Sequence, residues 1–269
     1  MTLTPSLGVV GLGRMAQALL VPLLQTQLVA ASTVRAAVAT ATSAERLSAQ
    51  LGVQVCTDPA AAWGCPLVLL AVKPQQLEAA AANAAAAGAL AQPGLLISVL
   101  AGATLPRLQR LFPGWRCVRA VPNTPALVRA GLTALAWGDG VDAPSRQQVQ
   151  QLFGLVGEVL ELPESQLDAF LALTSSGPAF VALVAEAMAD GAVAAGLPRA
   201  LAHHLAHRTL AGTAALLQEQ ALHPGQLKDM VTSPGGTTIA GLRQLERAGM
   251  RSALLEAVLA AAERSRELA

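Results

Sequence analysis

The strongest constraint on the fold of this chain is a glycine-rich turn that follows a short apolar run. Leu7 to Val10 predicts a buried strand, and Gly11-Leu12-Gly13-Arg14-Met15-Ala16 follows it at the start of a helical pattern. In a G-x-G-x-x-A pattern the first glycine permits a tight turn, and the second lets a pyrophosphate approach the backbone. The small third residue lets the helix pack against the strand. We therefore predict a dinucleotide-binding unit in which these six residues contact the cofactor.

The helix that begins at Arg14 contains Pro22. A proline inside a helix removes a hydrogen bond and costs about 3 kcal/mol if nothing relieves it. We expect a kink or an early end of the helix at this residue.

The end of the second predicted strand, Ala36 to Thr40, bears on the choice of nicotinamide cofactor. An acidic side chain there would bond the ribose hydroxyls of NAD and repel a 2′-phosphate. None is present, and Thr40-Ala41-Thr42-Ser43 offers hydroxyls and backbone donors instead. Arg46, one turn further on, is either a phosphate contact or a solvated helix residue. The sequence favours NADPH with Thr40 as a contact, and NADH is the alternative donor.

Short β-type runs alternate with helical patterns as far as Pro163, which predicts a mostly parallel sheet covered by helices. The other predicted strands are Val53 to Cys56, Pro66 to Ala71, Leu95 to Leu100, Arg116 to Val121, Leu132 to Ala136 and Glu158 to Leu162. Ligands bind beyond the carboxyl ends of such strands. The residues that follow three of these strands form either ordinary turns or cofactor contacts. We predict contacts from Val72, Lys73 and Pro74, from Ala101 in Ala101-Gly102, and from Asn123 in Pro122-Asn123-Thr124-Pro125.

After Pro163 the β pattern disappears and helices follow, separated by breaks at Gly177-Pro178, Gly196-Leu197-Pro198 and His223-Pro224. Their apolar residues surround much of each helix, more than so small a domain can bury alone. We predict a dinucleotide-binding domain over residues 1–163 and a helical substrate and dimerisation domain over 164–269. The protein is expected to be at least a homodimer.

The loop Ser233-Pro234-Gly235-Gly236-Thr237-Thr238 precedes an apolar-periodic helix. Paired glycines let several N–H groups point one way, and the helix start adds partial positive charge, so a carboxylate would bind there. The alternative is a loop that ends in a threonine cap.

Composition narrows the class of protein. The net charge of +1 with no basic run argues against nucleic acid as a partner. The three cysteines lack metal-ligand spacing and fit a reduced cytosolic compartment. The uncharged stretch from Ala79 to Pro106 divides into a helix, a turn and a strand, and no secretory signal is evident, so we expect a soluble protein without a membrane partner. The i,i+4 pairs Glu186 with Asp190 and His203 with His207 lack further ligands, so no metal is expected.

Together these motifs resemble the Δ1-pyrroline-5-carboxylate reductases over nearly the whole chain. The resemblance rests on the Gly11 to Ala16 turn, Val72-Lys73-Pro74 and three longer segments. Those segments are Arg119 to Pro125, Ser175 to Phe180 with Asp190 to Leu197, and His223 to Leu242. The resemblance implies an α/β fold, with an N-terminal Rossmann-type doubly wound sheet followed by an all-helical dimerisation domain. Dimers in several members assemble into decamers.

The resemblance also implies roles for single residues. The substrate, Δ1-pyrroline-5-carboxylate, would lie between the nicotinamide and the loop from Ser233 to Thr238. Thr238 matches the threonine that contacts the ring nitrogen, and Gly235, Gly236 and Thr237 match the backbone that binds the carboxylate. Ser176 and Glu164 match positions near the nicotinamide and the substrate. Met230 stands where some relatives have a polar cofactor contact.

The expected chemistry needs no strong general acid. A cyclic imine is basic enough to arrive protonated near neutral pH, so positioning dominates, and geometry alone is worth several kcal/mol in such reactions. A β-hydroxyacid or 6-phosphogluconate-type dehydrogenase would instead need a base. Such enzymes use a lysine on an early helix of the second domain, whereas this chain has only Lys73 and Lys228. A nucleotide-sensing or structural protein would need no organised loop in the helical domain.

Overall fold

A computed structural model describes residues 6–268, so the first five residues of the predicted N-terminal domain lie outside the described residues. Eight strands form one sheet in the order β3-β2-β1-β4-β5-β6-β7-β8, and all neighbours are parallel except β6 and β7. The strands are β1 Leu7–Val10, β2 Val34–Ala37, β3 Gln54–Cys56, β4 Leu67–Leu70, β5 Leu95–Ser98, β6 Arg116–Pro122, β7 Gly131–Trp137 and β8 Gly157–Glu161.

The strand predictions are confirmed, with one shift. Seven of the eight strands start and end within two residues of the predicted bounds, whereas β2 ends at Ala37, three residues before its predicted end. The sequence from Ala36 to Thr40 contains no glycine or proline that would mark the end of the strand.

The sheet is buried on both faces. In β4, Leu67 and Leu69 belong to one apolar cluster, whereas Val68 and Leu70 belong to another. Alternate side chains of a strand point to opposite faces, so the two clusters are the two sides of a doubly wound sheet. The helices that follow the strands are α1 Arg14–Gln25, α2 Ala41–Leu51, α3 Ala60–Trp63, α4 Leu77–Ala86, α5 Leu105–Leu111, α6 Ala143–Gly154 and α7 Leu167–Thr174.

Helix α1 does not end at Pro22. It continues to Gln25, and Thr26 then closes it by donating from its backbone N–H (3.0 Å) and its hydroxyl (2.8 Å) to the carbonyl oxygen of Pro22. The early end is therefore a wrong prediction. Pro22 is buried beside Leu19 and Leu23, and this burial holds the last turn in place despite the lost backbone bond.

The chain divides into two compact units, one comprising residues up to Ser175 and from Ala261 onward, the other Ser176–Ala260. The first unit contains α7, whose Leu167 is fully buried in the sheet cluster. The predicted division after Pro163 thus differs from the compact units and remains a prediction. The remaining helices are α8 Gly177–Ala194, α9 Arg199–Glu219, α10 Pro224–Met230, α11 Thr237–Arg247 and α12 Met250–Glu267.

The second unit has a very small core of its own. Its buried apolar cluster consists of Ala189, Ala202 and Ala206. Large apolar side chains remain exposed on its helices, among them Val181, Leu183, Leu201, Leu205, Ile239, Leu255 and Leu259. A unit with so little buried apolar surface gains its stability from a further contact.

The described residues contain one segment that is long and apolar enough to cross a membrane, Glu164–Ala194. It comprises α7 and α8 rather than the stretch from Ala79 to Pro106 considered from the sequence. That stretch forms part of α4, a turn and β5, as expected.

Candidate active site

The glycine-rich turn lies where β1 ends between β2 and β4. Gly11 adopts a φ of +92°, and its N–H donates to the carbonyl oxygen of Ala37 at the end of β2 (3.0 Å). A side chain at Gly11 would lie 2.7 Å from the carbonyl oxygen of Ala71 and 2.8 Å from the nitrogen of Val72. Both the backbone angle and the close approach therefore require glycine here. The order of strands reverses between β1 and β4, which is where such sheets bind ligands.

Gly13 is constrained by nothing in the chain itself. Its φ is −77° and its ψ is −172°, which any residue can adopt, and an added Cβ would meet no atom within 4 Å. It is exposed and directly precedes α1. The fold therefore does not require glycine at position 13, and the effect of this glycine is to leave open space at the start of α1.

The start of α1 is a set of free donors. No side chain caps the helix, its first turn holds no acidic residue, and the first intrahelical bond runs from Gln17 to the carbonyl oxygen of Gly13 (2.9 Å). The N–H groups of Arg14, Met15 and Ala16 precede that bond. Such donors with open space beside them suit a phosphate group, so these residues fit a dinucleotide. Leu12 and Ala16 are buried beneath the turn and support it.

Thr40 is the N-cap residue of α2. Its Oγ1 accepts from the backbone N–H of Ser43 (3.3 Å) and donates to the Ser43 hydroxyl (2.9 Å). The three residues between the end of β2 and α2 include no carboxylate. Arg46 is exposed and donates to Gln50 on the same helix (3.2 Å), which fits the solvated alternative.

The predicted contacts after β4 lie beside the glycine-rich turn. Val72 follows the end of β4 and borders Gly11, as described above. The side chain of Lys73 is exposed, while its backbone N–H donates to Gln76 Oε1 (3.2 Å). Pro74 begins the short 3-10 turn Pro74–Gln76 that leads into α4.

The predicted cofactor contacts after β5 and β6 lie in loops of the first unit. After β5, Ala101 is half-buried and Gly102 adopts a φ of +73°. After β6, Asn123 is buried, with its Nδ2 donating to Thr174 O (3.0 Å) and its Oδ1 accepting from Leu132 N (2.8 Å). The Asn123 side chain therefore braces the loop, and its cofactor contact remains a prediction.

Glu164 is tied into the first unit by a buried arginine. Its Oε1 accepts from the backbone N–H of Leu105 (2.6 Å) and from Arg119 Nη1 (3.2 Å). Arg119 is 1% exposed on β6, and its Nη2 also pairs with Asp168 Oδ1 (3.4 Å). The carboxylate predicted to lie near the substrate is therefore already paired with a protein partner. The resemblance did not predict this ion pair, although a lone arginine inside an apolar strand is a signal of one.

The loop before α11 is a β-turn followed directly by a helix start. Gly236 N–H donates to Ser233 O (3.1 Å), and Gly235 adopts a φ of +70° after Pro234, as a type II turn requires. A Cβ at Gly236 would lie 2.4 Å from the Ser233 hydroxyl. The Gly236 N–H closes this turn, and its contact with a substrate carboxylate remains a prediction.

The free donors of this loop lie one residue further along. No side chain caps α11, no acidic residue lies in its first turn, and the first intrahelical bond runs from Ala240 to Gly236 O (3.3 Å). The N–H groups of Thr237, Thr238 and Ile239 precede that bond. Thr238 is half-buried, whereas Thr237 and Ser233 are exposed. Ser176 directly precedes α8 and is half-buried.

No group of three His, Cys, Asp or Glu side chains within residues 6–268 lies close enough to hold a metal ion. Asp190 pairs with Arg199. Burial raises the pKa of the Cys117 thiol to about 12 and also raises that of Cys65, so both stay protonated at neutral pH.

A Rossmann-type sheet with an uncapped, glycine-lined helix start, followed by a helical unit, defines the class of nicotinamide-dependent oxidoreductases. Two family models agree with this class. Residues 6–102 match the NADP oxidoreductase, coenzyme F420-dependent family, and residues 164–268 match pyrroline-5-carboxylate reductase dimerisation.

The chain belongs to the pyrroline-5-carboxylate reductase family. It is 46% identical to the pyrroline-5-carboxylate reductase of Synechocystis sp., and the match covers 97% of each chain. It is 39% identical to that of Methanosarcina acetivorans over 97% of each chain. The structure of Plasmodium falciparum pyrroline carboxylate reductase with NADP bound superposes with a TM-score of 0.90 at 26% identity, covering 100% of this chain and 99% of that one.

Proposed function

We propose that this protein binds Δ1-pyrroline-5-carboxylate through the loop from Ser233 to Thr238 and reduces it with NADPH held at the Gly11 to Ala16 turn. The enzyme reduces the C=N bond of this cyclic imine and forms L-proline, the last step of proline biosynthesis, which is the reaction of its family. The observation that carries the residue assignment is that the helix starts at Arg14 and Thr237 both follow a glycine, lack a side-chain cap and hold no acidic residue in the first turn.

The α11 start supplies the carboxylate site in this proposal. The N–H groups of Thr237, Thr238 and Ile239 point out of the first turn, and the helix dipole adds partial positive charge. Gly235 and Gly236 keep side chains out of the approach to these donors, and Ser233 lies exposed at the edge of the turn. Ser176 supplies a further polar contact near the reacting ring.

The chemistry then depends on positioning. The bound NADPH supplies the hydride that reduces C5. Thr238 orients the protonated ring nitrogen, whose N–H donates to its hydroxyl, and it relays through water the proton that the product amine takes up after the hydride has been transferred. Because the imine arrives protonated, an oriented hydroxyl suffices and no side chain has to act as a strong acid.

NADPH is the preferred donor in this proposal. The segment between β2 and α2 carries no carboxylate, and Thr40 presents a hydroxyl at the start of α2. The Plasmodium falciparum relative was solved with NADP bound. Val72, Lys73, Pro74, Ala101 and Asn123 complete the cofactor contacts at the same edge of the sheet.

The assembly is a homodimer formed through the helical domain, and dimers associate further into a decamer. The exposed apolar side chains of the second unit and the match to a dimerisation family support the dimer. The free cysteines of the described residues support a reducing, cytoplasmic location.

The test is a substrate-dependent assay of NADPH oxidation. We expect rapid oxidation with Δ1-pyrroline-5-carboxylate and formation of L-proline, measured by amino-acid analysis. In the reverse direction, β-hydroxyacids and 6-phosphogluconate should not reduce NADP. Turnover of a hydroxyacid without turnover of the imine would overturn the proposal, whereas cofactor binding without any turnover would favour a sensing role.

A further inference from the structure

The carboxyl-terminal turn of α12 packs against the loop that follows β5. Gly102 adopts a φ of +73°, and a Cβ there would lie 2.4 Å from the carbonyl oxygen of Leu268. Gly102 is buried, and Ala101, a proposed cofactor contact, directly precedes it. Backbone from the end of the chain therefore touches the β5 loop at the edge of the sheet where the cofactor is proposed to bind.

This terminal turn is held by a buried polar network. Ser265 is 3% exposed, and its hydroxyl donates to Asp168 Oδ1 on α7 (2.7 Å). The same carboxylate oxygen accepts from Arg119 on β6 (3.4 Å). Arg119 also pairs with Glu164, which accepts from the backbone N–H at the start of α5 (2.6 Å).

The network therefore fixes the two segments next to the β5 loop, which are the start of α5 and the terminal turn of α12. Glu164 holds Leu105, the first residue of α5 and the end of the segment that starts at Ala101. Ser265 holds the terminal turn that covers Gly102. Both connections share Arg119, which is 1% exposed, and a buried guanidinium stays beside its carboxylate partners because separation from them would leave an uncompensated buried charge.

We propose that Ser265 is a positioning residue for cofactor binding, acting through the Asp168 carboxylate and the terminal turn of α12 to hold the Ala101-Gly102 loop in its binding shape. This inference rests on the proposed cofactor site. It assigns a role in the reaction to the last residues of the chain, far in sequence from the glycine-rich turn.

The test compares Ser265→Ala with Ser48→Ala. Ser48 also makes one part-buried hydrogen bond, from its hydroxyl to Val53 O (2.6 Å), between α2 and the residue before β3. Both variants lose one serine hydrogen bond in the first unit, so their thermal stabilities should fall by similar amounts. Only Ser265→Ala should raise the Kd and the KM for NADPH, by about three- to tenfold, while kcat at saturating NADPH stays near the wild-type value.

The outcomes separate the two proposals. If Ser265→Ala and Ser48→Ala bind NADPH equally well, the positioning role is overturned and the cofactor site stands. If the wild-type enzyme does not bind NADPH, the cofactor proposal itself fails.

A measurement on the wild-type enzyme covers the case in which Ser265→Ala fails to fold. Saturating NADPH should slow amide hydrogen exchange in residues 101–103 and also in residues 265–268. Protection of residues 101–103 without any change in 265–268 would overturn the positioning role.

Discussion

Gly11 and Gly13 belong to the same motif, yet the structure requires them for different reasons. Gly11 has a positive φ and lies against the backbone of Ala71 and Val72, so the fold alone demands glycine. Gly13 has an ordinary backbone conformation and open space around its Cα. A bound ligand is therefore the reason for glycine at position 13. A substitution at Gly13 thus tests ligand binding separately from folding.

We therefore predict that Gly13→Val raises the Kd for NADPH at least tenfold, or about 1.4 kcal/mol. The branched side chain would fill the space that a pyrophosphate needs at the helix start. The unfolding free energy should change far less than the binding free energy, because an added Cβ at Gly13 meets no atom within 4 Å. Fluorescence titration measures the binding. Gly11→Ala is the contrasting variant, in which stability should fall first, and unchanged NADPH affinity in folded Gly13→Val would remove the motif from the cofactor site.

Thr238 is the one side chain proposed to take part in the chemistry rather than only in binding. Thr238→Val keeps the shape and the backbone N–H but removes the hydroxyl, and we expect kcat to fall roughly 10- to 100-fold, or about 1.4–2.7 kcal/mol. The effect should be smaller than the loss of an oxyanion-hole donor because the imine arrives protonated. NADPH binding and dimerisation should not change.

Thr237→Val is the matched control for this prediction. Thr237 is exposed and contributes its backbone N–H to the proposed carboxylate site, so removal of its hydroxyl should leave kcat near the wild-type value. Wild-type turnover in Thr238→Val would reduce Thr238 to a helix-start residue. Equal losses in both variants would indicate a general disturbance of the loop.

At the scale of elements, the segment between β2 and α2 carries the cofactor preference. Thr40 caps α2 through Ser43, and aspartate is an equally good cap. Thr40→Asp should therefore preserve the helix while placing a carboxylate where a 2′-phosphate is proposed to bind. We expect the ratio of kcat/KM for NADPH to kcat/KM for NADH to fall by tenfold or more, corresponding to about 1.4 kcal/mol.

Thr40→Asn is the isosteric neutral control, because asparagine also caps helices well. It should keep the wild-type preference in steady-state kinetics with both cofactors. A preference that is unchanged in Thr40→Asp would show that this segment lies outside the cofactor site.

The sequence predicts elements well where the pattern is local. Strands β1, β4 and β5 are fully buried, mostly apolar runs bounded by turn residues, so their bounds could be predicted closely. Helix α1 was harder to predict, because burial of Leu19 and Leu23 outweighs the bond lost at Pro22.

The polar network of the first unit could not be predicted in this way. Arg119 and Glu164 are 45 positions apart, and Ser265 and Asp168 are 97 positions apart. No local pattern links residues so distant. The hydrogen bond from the Gly236 N–H to Ser233 O could not be predicted either, because the paired glycines allow several backbone conformations.

At the scale of the whole molecule, the second unit lacks the buried apolar surface to be stable alone. Its own core is three alanines, while many leucines and valines on its helices stay exposed. Residues 164–268 match a dimerisation family. Dimerisation and folding of this unit should therefore be coupled, and its thermal stability should rise with protein concentration.

Leu183 tests this coupling. It lies on α8 and is 66% exposed, so Leu183→Asp should hardly disturb an isolated chain but should place a charge in the proposed subunit interface. We expect the dimer dissociation constant to rise at least 100-fold, or about 2.7 kcal/mol, as for a strong interface residue. Light scattering coupled to size exclusion measures the assembly.

Leu127→Asp is the control, since Leu127 is 68% exposed but lies outside the matched dimerisation region. Because the glycine-rich turn belongs to the first unit, Leu183→Asp should still bind NADPH while the second unit loses thermal stability. A Leu183→Asp protein that remains dimeric with wild-type stability would show that α8 does not form the interface and that another surface of the second unit holds the subunits together.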